Sequence, residues 1–314
     1  MAVEDRTAIA GLPGEYSRVA LGTWSMGGWM WGGKPDAAVA DATVRRALEV
    51  GIDVIDTAPA YGFGFSEEVV GRVLEESGAR DRVLVATKAG LRWDAGGEVV
   101  KDASRARVLA ECEDSLGRLR TDRIDVYQIH WPDPAVAVEE TAEACAELLE
   151  RGLVRAVGVC NFTTAQAGAF AKVCPLASMQ SPYNLFQREV EADVLPYCVE
   201  RGISFLAYSP LARGLLAGMM TEADEPTDEA RRRDMFHGEG FRRHLAAVAR
   251  LDAFARERYG RRVVDIAVRW LLDGGVACAL WGARTPEQLD AVAGVRGFTL
   301  DAVAREEIAA ATRA

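Results

Sequence analysis

The chain has 314 residues, 49% apolar and 27% charged, with a formal net charge of −10 and an isoelectric point near 5.0. That balance argues against nucleic acid as the main partner, because phosphate binding needs a basic surface. No apolar run reaches the ~18 residues that span a bilayer, which argues against a membrane protein. The six cysteines form no C-x-x-C pair, so no zinc site and no metal are expected. Met1 to Tyr16 is acidic and lacks an apolar h-region, so it does not read as a signal peptide. Reduced cysteines and a cytoplasmic location follow as expectations.

Taken in order, the chain alternates short apolar strands with amphipathic helices. Arg18 to Leu21 reads as a strand ending at Gly22-Thr23, followed by a loop rich in Gly and Trp. Asp36 is a candidate N-cap for a helix from Ala37 to Val50, with Gly51 as its stop. Ile52 to Ile55 is a strand, Ser66 to Glu76 a helix, and Val83 to Thr87 a strand. Gly96-Gly97 marks a loop before Ser104, which caps a helix to Leu119. Ile124 to Ile129 is the fourth strand, and Glu139 to Glu150 the next helix.

The second half repeats the rhythm. Strands are expected at Val154 to Val159, Ala177 to Gln180, Ile203 to Ala207 and Val276 to Leu280. Helices are expected at Thr163 to Val173, Val190 to Glu200, His244 to Tyr259 and Val263 to Leu272, with closing helices at Pro286 to Ala293 and Leu300 to Ala310. Such alternation means a parallel sheet covered by helices. Eight repeats, no linker and no G-x-G-x-x-G after any strand favour a single α/β domain over residues 1–314, a (β/α)8 TIM barrel, over a doubly wound sheet. A short N-terminal strand or hairpin is expected before the barrel. Only Gly214 to Arg243 breaks the pattern, being dense in charge, and it reads as a solvated excursion or as a lid over a phosphorylated cofactor.

Three successive strands each deliver an ionisable residue at or just past the carboxyl end. Asp56 ends the second strand and Tyr61-Gly62 follows; Lys88 ends the third, and His130 the fourth. In a parallel barrel those ends share the face where chemistry is done. Asp-Thr-Ala-x-x-Tyr-Gly from Asp56, with Lys88 and His130, resembles the catalytic tetrad of the aldo-keto reductase superfamily. The resemblance runs from about Val19 to about Leu289. It implies NADPH-dependent reduction of a small-molecule aldehyde or ketone. Tyr61 would be the acid, Lys88 would lower its pKa, Asp56 would hold Lys88, and His130 would orient the carbonyl.

The same resemblance implies cofactor contacts. Gly22, Thr23, Trp24 and Asp56 would contact the nucleotide. Asn161 and Gln180 would hold the carboxamide, and Cys160 stands where serine is usual. Tyr208, in Tyr208-Ser209-Pro210-Leu211, would stack on the ring. Arg213, Gly214 and Leu215 would wrap the pyrophosphate through backbone N–H groups. Gly282, Ala283, Arg284 and Gln288 would take the adenosine end, with Arg284 favouring NADPH over NADH. Trp281 and Val292 depart from the usual proline and asparagine. Trp24, Trp29, Trp31, Trp93, Trp131 and Trp281 all fall at or after strand ends. Of these, Trp24, Trp31, Trp93 and Trp131 are the expected substrate pocket, suited to an apolar or aromatic carbonyl or a sugar. Two other readings stay open. One is a redox-sensing binding module like the potassium-channel β subunits, which share this fold and tetrad. The other, less favoured, is a glycosidase, which needs a second strand-end acid facing Asp56.

Overall fold

Inward and outward side chains alternate along each strand, and eight strands carrying that pattern close on themselves in the computed structural model, which describes residues 5–28, 30–94 and 96–312. Trp29 and residues 1–4 of the N-terminal stretch lie outside the described residues. An antiparallel hairpin of β1 (Arg6–Thr7) and β2 (Tyr16–Ser17) comes first. The barrel is then built from β3 (Val19–Gly22), β4 (Val54–Asp56) and β5 (Leu84–Ala89). A second hairpin follows, β6 (Leu91–Trp93) with β7 (Val99–Lys101). The barrel resumes with β8 (Ile124–Ile129), β9 (Val154–Cys160), β10 (Ser178–Pro182), β11 (Ser204–Tyr208) and β12 (Cys278–Gly282). All eight pairings are parallel, and β12 returns to β3 to close the ring.

The helices are α1 (Ala37–Glu49), α2 (Phe65–Glu76), α3 (Arg105–Leu119), α4 (Val138–Glu150), α5 (Thr164–Phe170), α6 (Val194–Arg201), α7 (Gly238–Tyr259), α8 (Val263–Asp273) and α9 (Ala302–Thr312). In α1, Ala40, Val44 and Ala47 fall at helical spacing and are buried against the barrel. Asp36 accepts hydrogen bonds from the Ala38 and Val39 N–H groups, as its sequence position predicts. Two apolar clusters result. One fills the space between barrel and helices. The other is the barrel interior, where Ala20, Val54, Leu84, Val126 and Leu206 meet Ile9 from the N-terminal hairpin, which plugs the amino end.

Where the elements differ from expectation, local chemistry gives the reason. The loop around Gly96-Gly97 is the β6–β7 hairpin; Asp94 accepts from the Gly96 and Glu98 N–H groups and shapes its turn. The helix expected from Val190 is a short 3₁₀ turn at Glu189–Glu191, and α6 begins only at Val194. That start puts Pro196 in the first turn, where its missing N–H has no helical partner to lose. Helix α7 starts six residues before His244, because Phe241 extends the buried face of Val248, Leu251 and Ala255 by two turns through a stretch otherwise made of glycine and charged residues. Residues 212–236 run as a series of 3₁₀ turns with Ala230 and Phe236 fully buried. The Ala230 N–H donates to the Met30 carbonyl at 2.9 Å, which fastens this strap to the loop after β3. The charge density of the strap hides those anchors in the sequence.

Candidate active site

The carboxyl ends of the barrel strands open into a cleft of about 1220 Å³. Inward positions recur every second residue, so Val54 is followed by Asp56, Ala86 by Lys88, and Val126 by Gln128 and then His130. The apolar interior thus gives way to a polar layer at the top. Lys88 has no exposed surface, and Asp56 is 3% exposed. The Lys88 ammonium donates to Asp56 Oδ1 at 2.5 Å and to the Thr57 carbonyl at 2.9 Å. Behind β5, Thr87 points the other way and donates to Glu67 Oε1 at 2.5 Å, while Arg118 pairs with Glu67 at 2.6 Å. These bonds fix the strand that carries Lys88.

Tyr61 sits above this pair, with the Lys88 nitrogen 4.9 Å from its ring centroid. Its backbone is held by Gly27: a Cβ there would come within 2.5 Å of the Tyr61 carbonyl carbon, so only glycine allows the approach. His130 meets Tyr61 edge to face, centroids 5.7 Å apart. Burial pushes the Tyr61 phenol above its ordinary value. Lys88 pulls it down, as expected from the sequence, but burial outweighs that pull. Burial opposes the Lys88 charge, yet the Asp56 carboxylate beside it carries its pKa above the ordinary lysine value. Burial, aided by Lys88, holds His130 well below its ordinary value and therefore neutral. A phenol that keeps its proton, beside a neutral imidazole and over a charged lysine, can give a proton to an oxygen placed between the two rings.

The amides lie on the adjoining strands. Gln180 donates to Asp56 Oδ2 at 2.8 Å. Asn161 donates to the His130 carbonyl at 3.0 Å and accepts from the Tyr208 hydroxyl at 2.9 Å. Asn161, Ser209 and Arg213 hold positive φ angles of 61°, 53° and 54°. Non-glycine residues adopt that region rarely, and such outliers gather at ligand sites.

Most expected contacts line the cleft. They are Gly22, Thr23, Trp24, Asp56, Tyr61, His130, Asn161, Gln180, Tyr208, Ser209, Pro210, Leu211, Arg213, Gly214, Gly282, Arg284 and Gln288. Trp31 and Trp131 join Trp24 in the wall. Five expected residues stand back from it. Lys88 lies beneath Tyr61. Cys160 turns its thiol inward to Gln128 Oε1 at 3.5 Å. Leu215 and Ala283 are core residues at 0% and 1% exposure. Trp93 rides on the β6–β7 hairpin and packs on Phe63, centroids 5.4 Å apart, away from the wall. Val292 is fully buried and Trp281 lines the cleft.

The strap supplies Asp224, Glu225, Asp228 and Arg231 to the same cleft. Arg231 and Arg284 each lie 5.7 Å from the Trp31 ring centroid, and Arg213 lies 5.3 Å from that of Trp24. The sequence reading missed Gln128, which donates to Asp56 Oδ2 at 3.1 Å. Its signal was the two-residue step back from His130 along one strand face. Among the described residues no group of three or more His, Cys, Asp or Glu could hold a metal ion. No helix of the described residues is long and apolar enough to cross a membrane.

The model of the Aldo/keto reductase family matches residues 18–313. The aldo-keto reductase YhdN of Bacillus subtilis (strain 168) is 50% identical over 307 residues, 96% of this chain and 92% of that protein. The NADH-specific methylglyoxal reductase of Escherichia coli (strain K12) is 32% identical over 287 residues, 87% of each. Among solved structures, the glycerol dehydrogenase AKR11B4 from Gluconobacter oxydans superposes with a TM-score of 0.91 at 43% identity, covering 98% of this chain and 95% of that one.

Proposed function

The chain belongs to the aldo/keto reductase family, an NAD(P)H-dependent oxidoreductase family, and on that premise we propose that it reduces an aldehyde or ketone to an alcohol with NADPH, Tyr61 giving the proton. The observation that carries this reading is the buried Asp56–Lys88 pair set directly under the Tyr61 ring. The cofactor, when bound, supplies the hydride. Tyr61 holds the proton ready at its hydroxyl, because burial keeps the phenol protonated. Neutral His130 offers a ring N–H to the carbonyl oxygen, and its half-buried ring fixes the angle of approach. Lys88 stabilises charge on the phenol oxygen as the proton leaves, and Asp56 keeps Lys88 charged and in place.

The residues present fit a nicotinamide nucleotide. Gln180 and Asn161 offer amide groups suited to a carboxamide. Backbone around Ser209, Arg213 and Gly214 turns through positive φ, as a phosphate-wrapping loop requires. Arg284 is exposed in the cleft wall beside Trp31, free to pair with a 2′-phosphate. Replacing Arg284 with alanine is expected to weaken NADPH binding about tenfold and to leave NADH nearly unchanged. Equal losses for both nucleotides, measured by tryptophan quenching, would assign Arg284 no part in the preference. The six cysteines, all buried and unpaired, suit the cytoplasm.

The test is steady-state oxidation of NADPH and NADH with aromatic aldehydes, diketones, sugars, methylglyoxal and the oxidation products of glycerol. Turnover on at least one carbonyl supports the reading. Tight nucleotide binding with no turnover across the panel would favour a protein that senses redox state instead. The pH profile is a second check. With His130 held well below its ordinary pKa, Tyr61 above its own and Lys88 charged, reduction should run flat between about pH 6.5 and about pH 10. An acid limb near pH 6.5 that disappears in His130→Gln would contradict the neutral-imidazole role.

A further inference from the structure

We propose that Gln128 is a positioning residue that fixes which end of the Gln180 amide faces the ligand. The inference rests on the reductase reading and concerns residues of this chain alone. Gln128 is fully buried on β8, paired in register with Lys88 on one side and Gly158 on the other. A Cβ at Gly158 would lie 3.1 Å from Gln128 Cγ and 2.2 Å from the Ser178 oxygen, so glycine there clears the space that the Gln128 side chain occupies.

A glutamine amide has two N–H donors and one carbonyl oxygen. Gln180 Nε2 donates to Asp56 Oδ2 at 2.8 Å and to Gln128 Oε1 at 3.1 Å. Both of its N–H groups are therefore engaged below the cleft. What remains for a ligand is the Gln180 carbonyl oxygen, an acceptor. Gln128 makes this arrangement self-consistent, since its own Nε2 donates to the same Asp56 oxygen at 3.1 Å while its Oε1 receives the Gln180 and Cys160 donors. Asp56 is divided in turn: Oδ1 serves Lys88 and Oδ2 serves the two amides. The site thus demands a donor on the ring substituent of the nucleotide, and a carboxamide NH2 meets that demand. Fixing the carboxamide fixes the ring face turned to the substrate.

The test uses the full chain, with NADP+ and its 3-acetylpyridine analogue, in which the carboxamide NH2 is replaced by methyl. Dissociation constants are read from tryptophan fluorescence, since Trp24, Trp31 and Trp281 line the cleft. Wild type should bind NADP+ about fivefold or more tighter than the analogue, the value of one hydrogen bond. Gln128→Met should bring that ratio close to one, because the N–H released from Oε1 becomes free to serve the acetyl oxygen. Gln128→Glu should keep the wild-type ratio: its carboxyl, protonated where Gln128 Nε2 now donates to Asp56 Oδ2, keeps a carbonyl oxygen that accepts from Gln180. Equal loss of both affinities in Gln128→Met, with the ratio preserved, would reduce Gln128 to a packing role and overturn the proposal. So would wild type that does not discriminate, a result that stands even where a variant fails to fold. Wild type that binds neither nucleotide would remove the reductase reading itself.

Discussion

Tyr61→Phe should lower carbonyl reduction by about 10²–10⁴-fold, the range for removing a positioned general acid, while nucleotide affinity stays within about twofold. The substitution deletes one hydroxyl and keeps the ring. The edge contact with His130 and the seat over Lys88 depend on that ring, so the wall of the cleft survives. No neighbour is placed to take over. Lys88 has no exposed surface and its pKa lies above the ordinary range, which makes it a poor donor to a substrate it does not face. His130 is neutral, and an imidazole N–H is a far weaker acid than the phenol. The measurement is kcat beside nucleotide binding. A loss under about tenfold, with a larger loss in His130→Gln, would move the proton to His130.

The fold was legible because its signal is repeated. Eight apolar segments separated by amphipathic helices leave few alternatives, and an error of one or two residues at an end does not change the count. Asp56, Lys88 and His130 were legible because each falls at or just past a strand's carboxyl end, a place the sequence marks by the switch from apolar to polar, and Tyr61 because it follows Asp56 in the Asp-Thr-Ala-x-x-Tyr-Gly run. What escaped depends on three dimensions. Trp93 follows a strand as Trp131 does, yet the β6–β7 hairpin carries it to Phe63. Leu215 and Ala283 sit among cleft residues in the chain, but neighbouring positions point to opposite sides, and theirs face the core. Gln128 was hidden by its neighbours, since it shares Ile124–Ile129 with Asp125 and Tyr127, and only the inward face separates it from them. The strap from residue 212 to 236 carries no period at all. Its order comes from isolated anchors such as the Ala230–Met30 bond.

Asp56→Asn should cost about 3–5 kcal/mol of folding stability at neutral pH, the usual penalty for leaving a buried charge without its partner, and the loss should depend on pH in a defined direction. In wild type the carboxylate raises the Lys88 pKa against the opposing effect of burial. That contribution is fully present below the unfolded lysine value of about 10.4 and is lost only as pH rises through the higher folded value. Without Asp56 burial is unopposed, so the folded pKa falls below the unfolded one. The variant must then fold with Lys88 neutral while the unfolded chain binds the proton. Its deficit relative to wild type is therefore large at neutral pH and shrinks as pH climbs toward about 10.4. Denaturant midpoints across that range read it directly. The double variant Asp56→Asn, Lys88→Met removes both charges together and should recover much of the loss, because an apolar side chain fills the buried stem without a charge to desolvate. A deficit in Asp56→Asn that is flat with pH, or a double variant no more stable than the single one, would mean that the carboxylate's bonds to Gln128 and Gln180, rather than its charge, hold the polar layer together.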